Sequence, residues 1–141
     1  MDRLIRGKAL VAGAATGEAL ISDQPLSFWG GYDHRNGFII DRRHPLNGES
    51  ACGRILGIPY TRGSSTTTGV LVESVKAGTA PAAVVCNRTD AFLSLAAIVA
   101  DEMYGVRIPI VLTTPEDFEA LKSGQQVEIR PDGTILIKGE T

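Results

Sequence analysis

Cysteine is scarce in this chain. Cys52 and Cys86 are the only two, and neither lies in a CxxC pair or beside a histidine. A disulfide-stapled scaffold is therefore excluded, and two isolated thiols cannot by themselves hold an iron–sulfur cluster, which usually takes four cysteine ligands. Two reduced cysteines in or near strands are expected. Histidine is as sparse. His34 and His44 both fall in the loop-rich first half, which leaves a Ser–His–Asp hydrolase triad little to draw on. No sign of charge dominates: 14 Lys and Arg stand against 16 Asp and Glu, a net −2. The basic face that nucleic acid requires is missing. The densest charged run, Asp41-Arg42-Arg43-His44, is too short to suggest a membrane surface. Long hydrophobic runs are missing too. Leu93 to Ala100 is interrupted by Ser94 and is far too short to span a bilayer. Met1 to Arg6 lacks the apolar core of a signal peptide. Neither nucleic acid nor membrane is an expected partner, and a cytoplasmic location is expected.

What is present suits an ordinary soluble domain. Hydrophobic residues make up 43% and charged residues 21% of 141 residues. That length fits one domain over 1–141. A domain of this size buries roughly 68–70% of the surface its unfolded chain exposes, so it needs no metal or disulfide to fold.

The first half is rich in glycine and β-branched residues. Leu4–Val11 and Glu18–Ser22 are expected strands around the turn Ala12 to Gly17, and Gly37–Asp41 and Ala51–Ile58 are two more. The second half alternates. Ser65–Ala77 carries apolar residues at helical spacing, with Gly78 placed to stop it. Ala82–Cys86 is a short apolar strand. Asp90 is an expected N-cap for a helix reaching Tyr104, which Gly105 ends. Ile108–Leu112 is a buried-type strand. Thr114 caps a short helix with Pro115 first and Glu116 and Asp117 after it. Gln126–Arg130 and Thr134–Lys138 form a hairpin around Pro131-Asp132-Gly133. The pattern predicts an α/β fold, a short sheet with helices packed on a β-barrel-like half. Ligands in such folds sit at strand-to-helix joins.

The most informative join is Pro59-Tyr60-Thr61-Arg62-Gly63-Ser64-Ser65-Thr66-Thr67-Thr68-Gly69. A run of hydroxyl residues is unfavourable inside a helix, because Ser and Thr compete with the backbone for hydrogen bonds. At a helix N-terminus the same groups cap free N–H groups, and the remaining N–H groups and the dipole favour an anion. Three readings fit: a carboxylate or phosphate site, a serine whose alkoxide is stabilised there, and a helix cap with no further role. The segment is not a Walker A loop, since Gly-Lys-Ser/Thr is missing. It is not a nucleophile elbow, since Thr67 stands where that motif needs glycine.

These residues, taken with others, resemble a known family. The pieces are Gly7-Lys8-Ala9 with Gly17-Glu18-Ala19-Leu20, Ser27-Phe28-Trp29-Gly30-Gly31-Tyr32-Asp33, Gly37, His44-Pro45-Leu46-Asn47-Gly48, Arg62-Gly63-Ser64-Ser65, Gly78-Thr79-Ala80-Pro81-Ala82-Ala83 and Ala97-Ile98-Val99-Ala100-Asp101-Glu102. In combination they are similar to the small, swivelling subunit of aconitase X, the phosphomevalonate dehydratase small-subunit-like family. The resemblance implies a swivelling β/β/α domain closing over a large subunit that carries an iron–sulfur cluster, with none bound by this chain alone. It implies a hydro-lyase that dehydrates a small hydroxy acid and works only with that partner. Aconitases take their catalytic serine base from a Gly-Ser-Ser segment, which gives Ser64 the role here. Arg62, Gly63, Ser65 and Thr66 become the expected substrate-binding residues. Two positions depart from the pattern. Thr66 stands where ordinary aconitases have a substrate-gripping arginine, and Thr61 stands where aconitase X has glycine.

Dehydration beside a carboxylate removes an acidified C–H proton and expels hydroxide. A serine serves as base only where its alkoxide is favoured, as at a dry helix N-terminus. The Arg62 fork suits a carboxylate or a phosphate. Two substrates compete. Leu93–Leu112, with Tyr104-Gly105-Val106-Arg107-Ile108-Pro109, resembles the bacterial heteromeric members of that family, and the resemblance favours cis-3-hydroxy-L-proline over 5-phosphomevalonate. Trp29 is read either as a plug for the domain's own core or as a contact with the partner. Asp33 and His34 are read either as hydrogen-bonding in the interface or as stabilising their turn, with the turn favoured. Two readings of another class stand beside these. One is a non-catalytic binding module. The other is a phosphocarrier-like swivelling domain, suggested by Ala96–Ala100, Gly105–Pro109 and Gly124–Val127. The latter has Leu95 where its phosphorylated histidine would stand, so it could not carry phosphate.

Overall fold

The structure is a computed structural model. It describes residues 2–62 and 65–139, without the side chain of Ser65. Among the described residues ten strands and four helices follow in order: β1 Arg3–Arg6, β2 Lys8–Val11, β3 Ala15–Ile21, β4 Leu26–Ser27, α1 Phe28–Gly31, β5 Ile55–Gly57, β6 Thr61–Arg62, α2 Ser65–Ala77, β7 Ala83–Cys86, α3 Ala91–Tyr104, β8 Ile110–Leu112, α4 Pro115–Glu119, β9 Gln126–Ile129 and β10 Thr134–Ile137. Eight of the strands form one sheet in the order β1-β10-β9-β3-β5-β7-β8-β2, and β4 pairs with β6.

The two outer strands of that order, β1 and β2, are separated in sequence only by Gly7. One bent strand therefore lies at both margins of the sheet, which curls into a nearly closed barrel. Glycine is required at the bend. A Cβ there would lie 2.4 Å from Val111 Cγ1 and 2.7 Å from the Gly133 carbonyl oxygen. The Gly7 N–H donates to that same carbonyl at 3.2 Å.

Side chains alternate faces along a strand, and here the alternation separates two cores. Ala19, Ile55, Ala83, Val85 and Val111 join Ile129, Ile135, Phe118 and Leu121 in one. Leu20, Leu56, Val84, Cys86 and Ile110 face the other, with Leu71 and Val75 of α2 and Leu93, Ala97 and Ala100 of α3. The half containing β3, β5, β7 and β8 is parallel, and the rest pairs antiparallel.

The α/β architecture and the barrel-like half are as the sequence predicts, and Ser65–Ala77, Ala91–Tyr104 and the final hairpin form in place. Asp90 and Thr114 cap α3 and α4 through their side chains, and Gly105 takes the left-handed conformation at φ 66°. Four expectations need correction. Leu4–Val11 is split at Gly7. Glu18–Ser22 belongs to a strand that starts at Ala15, because Thr16 and Gly17 pair with β9 and are not turn residues. Ala51–Ile58 shrinks to Ile55–Gly57. Gly37–Asp41 is not a strand but an irregular segment with isolated bridges, Tyr32 to Ile39 and Phe38 to Ser50. Its backbone bonds go to turns, with Gly37 N–H reaching Asp33 O at 2.7 Å and Ile40 N–H reaching Gly31 O at 2.9 Å.

The cysteines are both free, Cys86 buried and Cys52 exposed. Burial pushes the Cys86 thiol up to about 11, helped by the nearby Asp90 charge. Alkylation of native protein at neutral pH is expected to label Cys52 alone, with Cys86 reacting only after denaturation. Mass spectrometry of the labelled peptides checks this, and label on native Cys86 contradicts it. The raised value also carries a stability sign. The neutral thiol is favoured by folding, so this contribution is intact at neutral pH and is lost as pH rises past the unfolded thiol's value.

Candidate active site

The strands β5 and β7 lie side by side and parallel, so their carboxyl ends open at the same margin of the sheet. That is where an α/β sheet places its ligands. The loops that leave them are joined residue by residue. Asn87 N–H donates to Pro59 O at 3.2 Å. The Arg88 guanidinium lies 4.2 Å from the centre of the Tyr60 ring. Asp90 Oδ2 accepts the Thr61 N–H at 2.7 Å and the Thr61 hydroxyl as well. Its other oxygen, Oδ1, accepts Leu93 N–H at 3.1 Å and caps α3.

Thr61 and Arg62 then form β6 against β4, pairing Leu26 with Thr61 and Ser27 with Arg62. Immediately beyond, α2 begins. The dipole of this 13-residue helix points its positive end at the loop. Of the expected site residues, Arg62 is exposed on β6 and Thr66 is exposed in the first turn of α2. Gly63 and Ser64, with the side chain of Ser65, lie outside the described residues. Two further hydroxyls of the run have structural tasks. Thr67 is fully buried and donates to Arg62 O at 3.4 Å, and Thr68 donates to Phe92 O at 3.2 Å, tying the start of α2 to the start of α3.

Arg62 opens onto a polar cavity of about 470 Å³ shared with Gln24, Pro25, Asp41, Arg43, His44 and Pro45. Sequence reading missed Gln24 and Arg43 here, although His44-Pro45-Leu46-Asn47-Gly48 had stood out as a motif. His44 is buried and both ring nitrogens are engaged: Nδ1 accepts Leu46 N–H at 3.1 Å, and Nε2 donates to Gln24 O at 3.3 Å. It holds the loop that forms one wall of the cavity. With Arg43 and Arg62 against Asp41, this wall suits an anion.

Trp29 is 69% exposed, so the core-plug reading is overturned. Its backbone explains this: Trp29 at ψ 115° and Gly30 at φ 78° break the helical turn and turn the indole outward, while Phe28 goes into the core and stacks on Tyr32 at 4.9 Å. Trp29 borders the start of α2 through a cavity it shares with Val70. Phe92, whose carbonyl accepts the Thr68 hydroxyl, is 41% exposed. Asp33 serves its turn as expected, accepting Arg35 N–H at 2.9 Å and pairing with the Arg35 side chain at 3.1 Å, which holds its carboxyl below the usual carboxylate range.

Among the described residues no three His, Cys, Asp or Glu side chains gather where a metal could sit, and no helix is long and apolar enough to cross a membrane. Cys86 spends its thiol on Val111 O at 3.6 Å inside the core. The described side chains of this chain do not fit an iron–sulfur cluster.

The comparisons with known proteins fall on this framework. The aconitase X swivel domain family matches residues 4–137. A cis-3-hydroxy-L-proline dehydratase of Pseudomonas aeruginosa is 50% identical over 107 residues, which are 76% of this chain and 18% of that protein. This chain thus spans under a fifth of that relative's length. A phosphomevalonate dehydratase small subunit of Pyrococcus furiosus is 34% identical over 139 residues, 96% of this chain and 98% of that subunit. The crystal structure of Thermococcus kodakaraensis aconitase X superposes with a TM-score of 0.88 at 30% identity, covering 97% of this chain and 99% of that one. Barrel, helices and serine loop lie within the matched span, and the chain belongs to the aconitase X swivel domain family.

Proposed function

We propose that this chain is the swivelling small subunit of a two-subunit hydro-lyase that dehydrates a small hydroxy acid, with Ser64 as the catalytic base. The observation that carries the reading is the loop between β5 and α2. It is fixed by three successive contacts to the β7 loop, it meets the positive end of α2, and it borders the cavity that holds Arg43 and Arg62. In the reaction a substrate C–H proton next to a carboxylate passes to the serine alkoxide, hydroxide leaves the neighbouring carbon, and the serine then gives up that proton to solvent, so that the net loss is one water and the alkoxide is restored. The N–H groups and dipole at the start of α2 favour the charged form of that oxygen. The iron–sulfur cluster of the pair belongs to the large subunit.

Two aromatic side chains near α2 are exposed: Trp29, which shares a cavity with Val70, and Phe92, whose carbonyl accepts the Thr68 hydroxyl. Large apolar groups left in solvent beside a site suit a partner that closes over it. The substrate favoured is cis-3-hydroxy-L-proline, because identity to that dehydratase is 50% against 34% to the phosphomevalonate subunit. The full-length correspondence to the latter keeps 5-phosphomevalonate as the second reading. Anaerobic co-purification with the large subunit, followed by assay of both compounds, tests the proposal. Turnover of either acid by the pair supports it. Failure of any large subunit to bind this chain sinks it and leaves a binding module.

Arg62 is assigned to the substrate carboxylate or phosphate. A hydrogen bond to a charged group is worth about 1.5–3 kcal/mol. Arg62→Ala is therefore expected to raise KM roughly ten- to a hundredfold, with a smaller change in kcat. An unchanged KM removes Arg62 from the site.

A further inference from the structure

We infer that Asp90 is a positioning residue for the reaction, acting through Thr61 on the loop that leads to the candidate base. The inference rests on the hydro-lyase reading but not on which hydroxyl is the base. Asp90 is 9% exposed and accepts three hydrogen bonds. Capping α3 uses only Oδ1, through Leu93 N–H. Asparagine caps a helix as well as aspartate does, so the cap alone does not call for a carboxylate. The second oxygen does. Oδ2 takes both the N–H and the hydroxyl of Thr61, a pair of donors that only a second acceptor atom can satisfy. An amide NH₂ in that place would face the fixed Thr61 N–H, donor against donor.

The consequence is mechanical. One carboxylate locks the start of α3 to the backbone one residue before Arg62. Thr67 returns from α2 to Arg62 O, and Thr68 returns to Phe92 O beside the same cap. The loop is held from α3 on one side and from α2 on the other. Small misplacements of a reacting group cost large factors in rate, so a loosened Thr61 is expected to slow the chemical step while leaving binding largely intact.

The test uses the co-purified two-subunit enzyme carrying Thr61→Val, Thr61→Ser, Asp90→Asn and the double variant Asp90→Asn with Thr61→Val. Thr61→Val removes only the hydroxyl bond and is expected to lower kcat about tenfold with KM within threefold of wild type. Thr61→Ser restores the hydroxyl and the rate. Asp90→Asn is expected to lower kcat further, and the double variant to be no slower than Asp90→Asn, because both changes break one link. On the small subunit alone, amide exchange at Thr61 and Arg62 rises at least tenfold in Thr61→Val while α3 amides keep their rates. A cap with no positioning role predicts the opposite: Asp90→Asn lowers Tm, kcat per assembled enzyme stays within twofold of wild type, and exchange at Thr61 in Thr61→Val is unchanged. Multiplying effects in the double variant also overturn the inference. Ser64→Ala separates the two readings. If it remains active while the Thr61 and Asp90 variants are slow, the serine assignment falls and the positioning role stands. If it is inactive while those variants run normally, the positioning role falls alone.

Discussion

Ser64→Ala is expected to lower kcat of the assembled enzyme by roughly 10²–10⁴-fold, the range that a positioned general base contributes. KM should change little, because the substrate's charged group is assigned to Arg62 and not to the serine. The side chain removed is small, so assembly and thermal stability should match wild type. Steady-state kinetics of the co-purified pair, with gel filtration of the same sample, decide the matter. A variant within tenfold of wild type would leave the serine as a cap, and the base would have to be sought on the large subunit. The expectation has a physical root in the helix that follows. A serine hydroxyl ionises poorly in water, and a base role requires surroundings that favour its anion. The start of α2 offers the positive end of a 13-residue dipole.

The second large effect is on folding. Gly133→Ala is expected to destabilise the domain by roughly 2–5 kcal/mol, the sum of a strained positive φ and an overpacked contact. Gly133 sits at φ 92°, and a Cβ there would lie 2.7 Å from Ala9 N and 2.8 Å from Gly7 O, both backbone atoms that cannot swing aside. This turn and the Gly7 bend press directly on each other where the barrel closes. Gly53→Ala is the control. It also has a positive φ, 70°, but open space around the added carbon, so only the strain of about 1–2 kcal/mol should appear. Urea unfolding of both variants measures the difference. Equal losses would mean that the closure is not tightly packed.

The helices were legible in the sequence because their ends carry chemical punctuation. Asp90 and Gly105 bracket α3, and Thr114 with Pro115 opens α4. The strands were less so. Gly37–Asp41 has strand composition, but its backbone groups are claimed by the turns around Asp33 and His44, which no local pattern reveals. Thr16 and Gly17 read as turn residues and are strand, since their partners lie more than a hundred residues away in β9. At the site, the serine loop stood out by composition, yet the division of labour within it did not. Thr67 and Thr68 resemble their neighbours in sequence, and only packing against α3 shows that their hydroxyls hold the framework. Thr61, a departure from the family's glycine, is explained by the Asp90 oxygen its hydroxyl meets. The cavity wall made by Gln24, Arg43 and His44 comes from a segment about 20–40 residues upstream of Arg62, and spacing along the chain carries no trace of it.

The bend at Gly7 bears on solubility. An open eight-stranded sheet would present two long rows of unpaired backbone groups, ready to recruit strands from other molecules. Here both margins belong to one bent strand of two four-residue arms. Arg3, Arg6 and Lys8 stand exposed along it, and like charges repel a second copy. A chain built this way resists templating its own precipitation at high concentration.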